Sequence, residues 1–451
     1  MVKVSRILHA GYVFECEGTR VAFDTIFENP FSRNCHAFPT VEFDQEQIRD
    51  QKFSAVFISH YHDDHCSLDS LNLLDRSTPI YMYCVFDEIF DWIRQLGFTN
   101  VNSLALNTPV KVGEFEITTR RALDADVDSL FQIKAKGFNL LNVVDSWIDY
   151  DTLDLLCDQA PWDLVLWPFQ TMREIEVIAP RSAVPSDGLI PEEWAEQLKA
   201  LNPRYVIPSS CQFSMESWSW YNHAFFPVSY AGFTNQIKAL LPQTRVVRLN
   251  PSCSIVLDHG DIKFAEPLPW VIPVGPQDVD YDYQPDLVPP KTSEVAKHFP
   301  ALTLEQSRSV FEYCQAGLLE KYRSMPAPED VYFESPRVWR LSVFDHEGQE
   351  QRFFYQVQGA AIQKLTVAVD DIAWTTEVPL YKLHAALQAG ETLTSMYMRI
   401  NDFDFVAELS FAVSEVDVVE DPLIRCLFNG VFGAYQLAQL RRLTGCQRAV
   451  L

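Results

Sequence analysis

The run Ser59-His60-Tyr61-His62-Asp63-Asp64-His65 limits what this chain can become more than any other. It follows directly on Phe53–Ile58, an apolar stretch of strand length. His60 and His62 are two positions apart at the strand end, so both imidazoles can point to the same side. Asp64 and His65 follow on the turn into Ser67–Leu74, which has helical spacing. His60 with His62, and Asp64 with His65, supply two pairs of ligands for two neighbouring divalent ions. Three of the chain's ten histidines fall within six positions, so a polar loop that holds them by accident is a poor account.

Length and charge narrow the rest. A chain of 451 residues, 47% hydrophobic, has material for two to three domains with ordinary cores. With 36 basic against 61 acidic side chains the formal net charge is −25. That balance excludes nucleic acid as an expected partner, since phosphate binding needs a concentrated basic surface. It equally disfavours electrostatic docking to anionic lipid. No apolar stretch reaches the length of a membrane span, and Met1–Arg6 runs straight into a strand pattern without a signal-peptide core. Ten cysteines stand singly with no CxxC pair, which does not read as a disulfide framework. The expectation is a cytoplasmic protein with reduced thiols.

Short strands alternate with helical stretches over the first 260 or so residues. Tyr12–Glu17 and Arg20–Asp24 surround a Gly18-Thr19 turn. Glu114–Thr119, Phe131–Lys136, Phe138–Val144, Asp163–Trp167, Tyr205–Pro208, Arg245–Leu249 and Ser254–Leu257 read as further strands, and Val85–Leu96 and Glu192–Leu201 as helices. Several strands are joined by tight turns, which suits an α/β sandwich better than an all-parallel sheet. Seven of the 27 prolines fall between Glu266 and Lys291, predicting an extended connector. The expected organisation is a catalytic domain over 1–265, a linker over 266–291 and an α+β domain over 292–451. In the last, helices are predicted at Leu304–Tyr322, Leu380–Ala389 and Leu423–Leu443. Strands are predicted at Arg337–Phe344, Arg352–Gln358, Gln363–Val369 and Met396–Ile400.

The HxHxDH cluster, with His9-Ala10-Gly11 and a strand ending in Asp24 before it, resembles the metallo-β-lactamase superfamily. That resemblance implies an αββα sandwich with a metal centre at one edge. It implies a bridging aspartate at the end of a later strand, where Asp145 stands, and makes Asp64 and Asp145 the expected catalytic carboxylates. The third histidine usual for the first metal is missing, because no histidine lies between His65 and His223. The loop Arg121–Ser129 offers Asp124, Asp126 and Asp128 instead. Asp124 is the expected ligand by its distance from the next strand, with Asp126 the alternative. Ser209-Ser210-Cys211-Gln212 occupies the place of the family's last ligand, and the nearest histidine is His223.

A carboxylate in place of an imidazole shifts a site toward harder ions, iron or manganese rather than zinc. Asp124–Asp149 and Leu201–Pro208 also resemble the metallo-β-lactamase-fold part of the CMP-N-acetylneuraminate hydroxylases. The carboxylate exchange is similar to that in di-iron hydroxylases of natural-product assembly. Those likenesses imply an iron-dependent oxygenase, with one or two ions, acting on a small polar metabolite. The chain lacks a Rieske ligand pattern, so electrons would come from an external donor. The alternative is a zinc- or manganese-dependent hydrolase of an ester, lactone or phosphodiester. Arg121, Trp218 and Tyr221 are the candidate substrate contacts, against surface and core-packing roles of equal or greater weight. The C-terminal domain faintly resembles sterol-carrier modules and is expected to be a lid, a substrate wall or a homodimer face.

Overall fold

The computed structural model describes residues 1–124, 127–181, 184–259, 261–368, 370–402 and 418–445. The chain divides into two compact units, Met1–Met172 with Ser186–Gln284 and Gln436–Leu451, and Arg173–Pro185 with Pro285–Tyr435. The break at Gln284 falls inside the proline-rich stretch. Part of that stretch is structured, since Val271–Pro273 pairs antiparallel with Val41–Phe43. Residues from Gln436 onward belong with the first unit, whereas the sequence placed them in the C-terminal domain.

Two large sheets form the core of the first unit. In the eight-stranded sheet, Ile262–Ala265, Ser254–Leu257, Val2–Arg6, Tyr12–Cys16 and Thr19–Phe23 run antiparallel in that order, and Ala55–Ile58, Ile80–Met82 and Val101–Ser103 continue it in parallel. The seven-stranded sheet runs Arg245–Val246, Tyr205–Pro208, Leu164–Trp167, Phe138–Asn142, Ser129–Ala135, Phe115–Arg121, Pro109–Val112. Phe14, Phe23 and Phe57 of one sheet share a buried core with Phe131, Ile133, Leu140 and Ile207 of the other. On the outer face of the second sheet, Leu141, Val165 and Trp167 pack with Leu156, Trp194, Leu198, Phe233 and Ile237 from the helices Tyr150–Asp158, Glu192–Leu201 and Tyr230–Leu240. The helix Glu88–Gln95, with Ile89, Phe90 and Ile93 buried, packs beside Val101–Ser103 of the first sheet. The architecture is an αββα sandwich.

Strand direction decides which loops meet. Val2–Arg6, Thr19–Phe23 and Ala55–Ile58 all run the same way, so His9, Asp24 and His60 leave the first sheet at one edge. Ser129–Ala135 is antiparallel to Phe138–Asn142, which brings Asp128 and Asp145 to one edge of the second sheet.

The second unit carries a five-stranded sheet in the order Ala361–Lys364, Glu350–Gln358, Arg337–Phe344, Trp374–Pro379, Arg399–Asp402. Trp339 stacks with Tyr355 and Trp374 at its core. The helix expected over Leu304–Tyr322 contains a π-helical turn at Tyr313–Gly317. Leu423–Leu443 is two helices, Pro422–Phe428 and Ala434–Thr444, rather than one. Gly430 and Gly433 adopt φ of 70° and 57° between them, which ends a right-handed helix.

Candidate metal centre

Seven imidazoles and carboxylates gather in two adjacent groups at the shared edge of the sandwich. His9, Asp64, His65 and Asp145 form one, with ligand atoms all within 4.8 Å of one another; His60, His62 and Asp128 form the other. The His60 and His65 rings, 4.1 Å apart between centroids, join them.

Asp24 organises both groups. It is buried at the end of Thr19–Phe23 with φ of 40°, and the bare Cα of Gly11 makes room for it: a Cβ there would meet the Asp24 carbonyl at 2.7 Å. Its Oδ1 accepts from the Ser59 backbone N–H and its Oδ2 from the Ser59 hydroxyl, both at 2.8 Å. Oδ2 also lies 3.0 Å from His65 Nδ1. A carboxylate only accepts, so Nδ1 of His65 donates and Nε2 is the nitrogen left over. The Ser59 hydroxyl, having spent its proton on Asp24, accepts from His60 Nδ1 at 2.9 Å. Nε2 of His60 is thereby bared as well, facing His62 Nδ1 at 3.0 Å and Asp128 Oδ1 at 3.6 Å.

The bared His65 Nε2 faces Asp145 Oδ2 at 3.0 Å, His9 Nε2 at 3.3 Å and Asp64 Oδ2 at 3.5 Å, and His9 Nε2 lies 3.1 Å from Asp64 Oδ2. Donors bound at about 2.1 Å to one ion stand roughly 3.0–3.4 Å apart at octahedral or tetrahedral angles. The spacing fits a shared cation.

Electrostatics fits it too. Burial opposes a proton on His65, yet Asp145 and Asp64 raise its pKa well above the usual imidazole range. Burial likewise opposes ionisation of Asp145 and Asp64, and His65 holds both carboxyls below the ordinary range. Burial, then His65 and His62, push His60 well down. Asp128 is raised to about 7 by burial and by Asp145. Oδ1 of Asp128 and Oδ1 of Asp145 are buried with no hydrogen-bond partner. Acids crowded in this way call for a positive charge among them.

Backbone geometry aims the donors. His9 sits at φ 46° in the turn closed by Ile7 N–H to Gly11 C=O at 2.8 Å. Val144 adopts φ 64° immediately before Asp145, a costly conformation for a β-branched residue. Ser210 donates to the Val144 carbonyl. The guanidinium of fully buried Arg6 donates to the carbonyls of His9 and Ser209. The Ser209–Gln212 segment therefore buttresses the His9 and Asp145 turns.

His60, His62, Asp64, His65 and Asp145 are brought together. Asp124 is exposed and stands in neither group; its carbonyl accepts from the N–H groups of Val127 and Asp128. That turn delivers Asp128, next to Ser129, whose hydroxyl donates to the Ser59 carbonyl at 2.8 Å. Asp126 lies outside the described residues. His223 is in neither group, with its Nδ1 3.0 Å from the Asp282 carbonyl. Arg121 is exposed at a strand end, Trp218 is half-buried, and Tyr221 is buried in a stack on Phe225. His9 was read only as part of a turn. Its signal was positional: a histidine after a strand that runs parallel to the one before His60.

No family model and no curated protein matches the chain. Among solved structures, the metallo hydrolase Igni18 from the archaeon Ignicoccus hospitalis is similar over 59% of this chain and 98% of its own, at 17% identity and a TM-score of 0.39. The metallo-beta-lactamase fold protein YhfI from Bacillus subtilis is similar over 56% and 99%, at 13% identity and a TM-score of 0.39. CmlA, a diiron beta-hydroxylase from Streptomyces venezuelae, is similar over 55% of this chain and 53% of its own, at 15% identity and a TM-score of 0.39.

Proposed function

We propose that the first unit, with its facing sheets and HxHxDH edge, is a metallo-β-lactamase-fold sandwich and that the protein is a dinuclear metalloenzyme. One ion is held by His9, Asp64, His65 and Asp145, and the other by His60, His62 and Asp128. The reaction we assign is iron-dependent oxygenation of a small polar metabolite, with electrons from an external donor.

The observation that carries this reading is Asp128 beside His60 and His62. It brings the set to three carboxylates, and added anionic oxygen favours harder, more oxidised ions over zinc. Iron bound there would supply dioxygen activation. The protein's own part is to position and to exclude water. Asp24 and Ser59 orient the two imidazoles so that each presents Nε2. Asp145, held ionised beside His65 and within electrostatic reach of His60, stands between the groups. His9, His60 and His65 are buried, whereas His62 is exposed, so a substrate would approach from the His62 side.

One observation favours the second reading, a zinc or manganese hydrolase of an ester, lactone or phosphodiester. His9 adds a fourth imidazole, and imidazole donors, neutral when they ligate, leave an ion a stronger Lewis acid than carboxylates do. Metal analysis of protein purified without added metal separates the two. Two equivalents of iron with substrate-linked oxygen uptake support the oxygenase. Tightly held zinc with anaerobic ester or phosphodiester turnover overturns it in favour of the hydrolase.

A further inference from the structure

The loop that carries three of the seven donors, His62, Asp64 and His65, is held from outside by a helix distant in sequence. Gln436, on Ala434–Thr444, is 1% exposed. Its Nε2 donates to the Tyr61 carbonyl at 2.7 Å and to the Cys66 carbonyl at 2.8 Å. Those two carbonyls bracket His62, Asp63, Asp64 and His65. A carboxamide nitrogen has two hydrogens, and here each is committed to one end of the same short loop.

Three residues on, Gln439 is 2% exposed and repeats the contact. Its Oε1 accepts from the Leu68 N–H at 2.8 Å, and its Nε2 donates to Ser67 Oγ at 2.9 Å and Asp69 Oδ2 at 3.0 Å. Ser67 caps the helix Leu68–Leu71 that follows the donors. Inside the loop, His65 N–H and Cys66 N–H both donate to the His62 carbonyl, at 3.0 and 2.8 Å. The loop is thus closed on itself and then clamped across its span.

The geometry assigns Gln436 as the positioning residue of the metal loop, fixing the separation of Tyr61 and Cys66 and with it the angle between the His62 and Asp64/His65 donors. Gln439 does the same for the helix onset behind His65. Neither side chain reaches an ion; both act through the backbone that carries the ligands. This inference rests on the reading of that loop as metal-binding.

The test is a Co²⁺ titration of the full chain, followed by visible absorption, with wild type and Gln436→Met. Methionine keeps the length and burial and removes both donors. We expect Co²⁺ affinity to fall about 10-fold or more, the order seen when outer partners of metal ligands are lost. We also expect the absorption band at saturating Co²⁺ to shift in position or intensity. A loss of stability alone does not move the spectrum of the saturated protein. Unchanged affinity and spectrum in Gln436→Met, with wild type binding Co²⁺, overturns the positioning role and leaves the metal centre standing. Wild type that takes up no Co²⁺, like a His60→Ala/His62→Ala variant, overturns both. If Gln436→Met does not fold, Gln439→Met provides the same readout: a shifted band supports the role and an unshifted one refutes it.

Discussion

Asp24 accepts from His65 Nδ1 at 3.0 Å, and that contact selects the ring nitrogen left for a cation. The same carboxylate accepts from Ser59, whose hydroxyl accepts in turn from His60. One acid that touches no ion thereby orients an imidazole in each donor group. Asp24→Asn keeps the shape but weakens the hold on His65. Metal affinity should fall about 10- to 100-fold, read by calorimetric titration with Mn²⁺, while the far-ultraviolet circular dichroism stays that of wild type. Equal affinity would remove Asp24 from this role.

Asp128 and Asp124 lie four residues apart and should behave differently. Asp128→Ala removes the carboxylate that faces His60 at 3.6 Å, so the purified variant should lose about one of two metal equivalents. Asp124→Ala, at an exposed position in neither group, should retain wild-type content by elemental analysis. The reverse pattern would return the ligand to Asp124.

His9→Ala should weaken the Asp64, His65 and Asp145 group and slow substrate turnover, whereas His223→Ala should leave metal content unchanged. His9 Nε2 is 3.1 Å from Asp64 Oδ2; His223 is engaged with the Asp282 carbonyl instead. Metal content measured side by side in the two variants decides the matter.

Stability without metal should depend on pH in a defined direction. Burial and Asp145 raise Asp128 to about 7, burial and Asp64 raise Asp63 to about 7, and Asp145 and Asp64 overcome burial to raise His65. Each binds its proton more tightly folded than unfolded, so its contribution is lost as pH rises: between about 4 and 7 for the carboxyls, and above about 6.5 for the imidazole. His60, depressed chiefly by burial, opposes this only below about pH 6.5. Asp64 and Asp145, depressed by His65, lose their contribution only in acid. The Tm of chelator-treated protein should therefore drop as pH rises above about 6.5, and saturating Mn²⁺ should abolish the drop. A flat profile without metal would contradict the crowding of acids described above.

What could be read from the sequence was the part encoded locally. The HxHxDH run directly follows its strand, so spacing offered His60, His62, Asp64 and His65, whereas Asp24 and Asp145, at the ends of apolar runs, were marked out by the resemblance to the metallo-β-lactamase superfamily. The choice of Asp128 over Asp124 depends on a turn whose hydrogen bonds close on the Asp124 carbonyl, and alternating aspartates look alike until that turn is wound. His9 becomes a donor only because strands far apart in sequence run in the same direction. Helical spacing carries straight across Gly430 and Gly433, so the apolar face of Leu423–Leu443 concealed a break that two left-handed glycines impose.

Each group of donors draws on both layers of the sandwich. Asp145 and Asp128 come from one sheet, and His9, His60, His62, Asp64 and His65 from the other. A cation in either place would be a rivet through two plates. Chelation would then do more than silence chemistry: it would unpin the layers along that seam and let them shear. Hydrogen exchange at the strand ends nearest the rivets should quicken first, while the opposite rim stays shut.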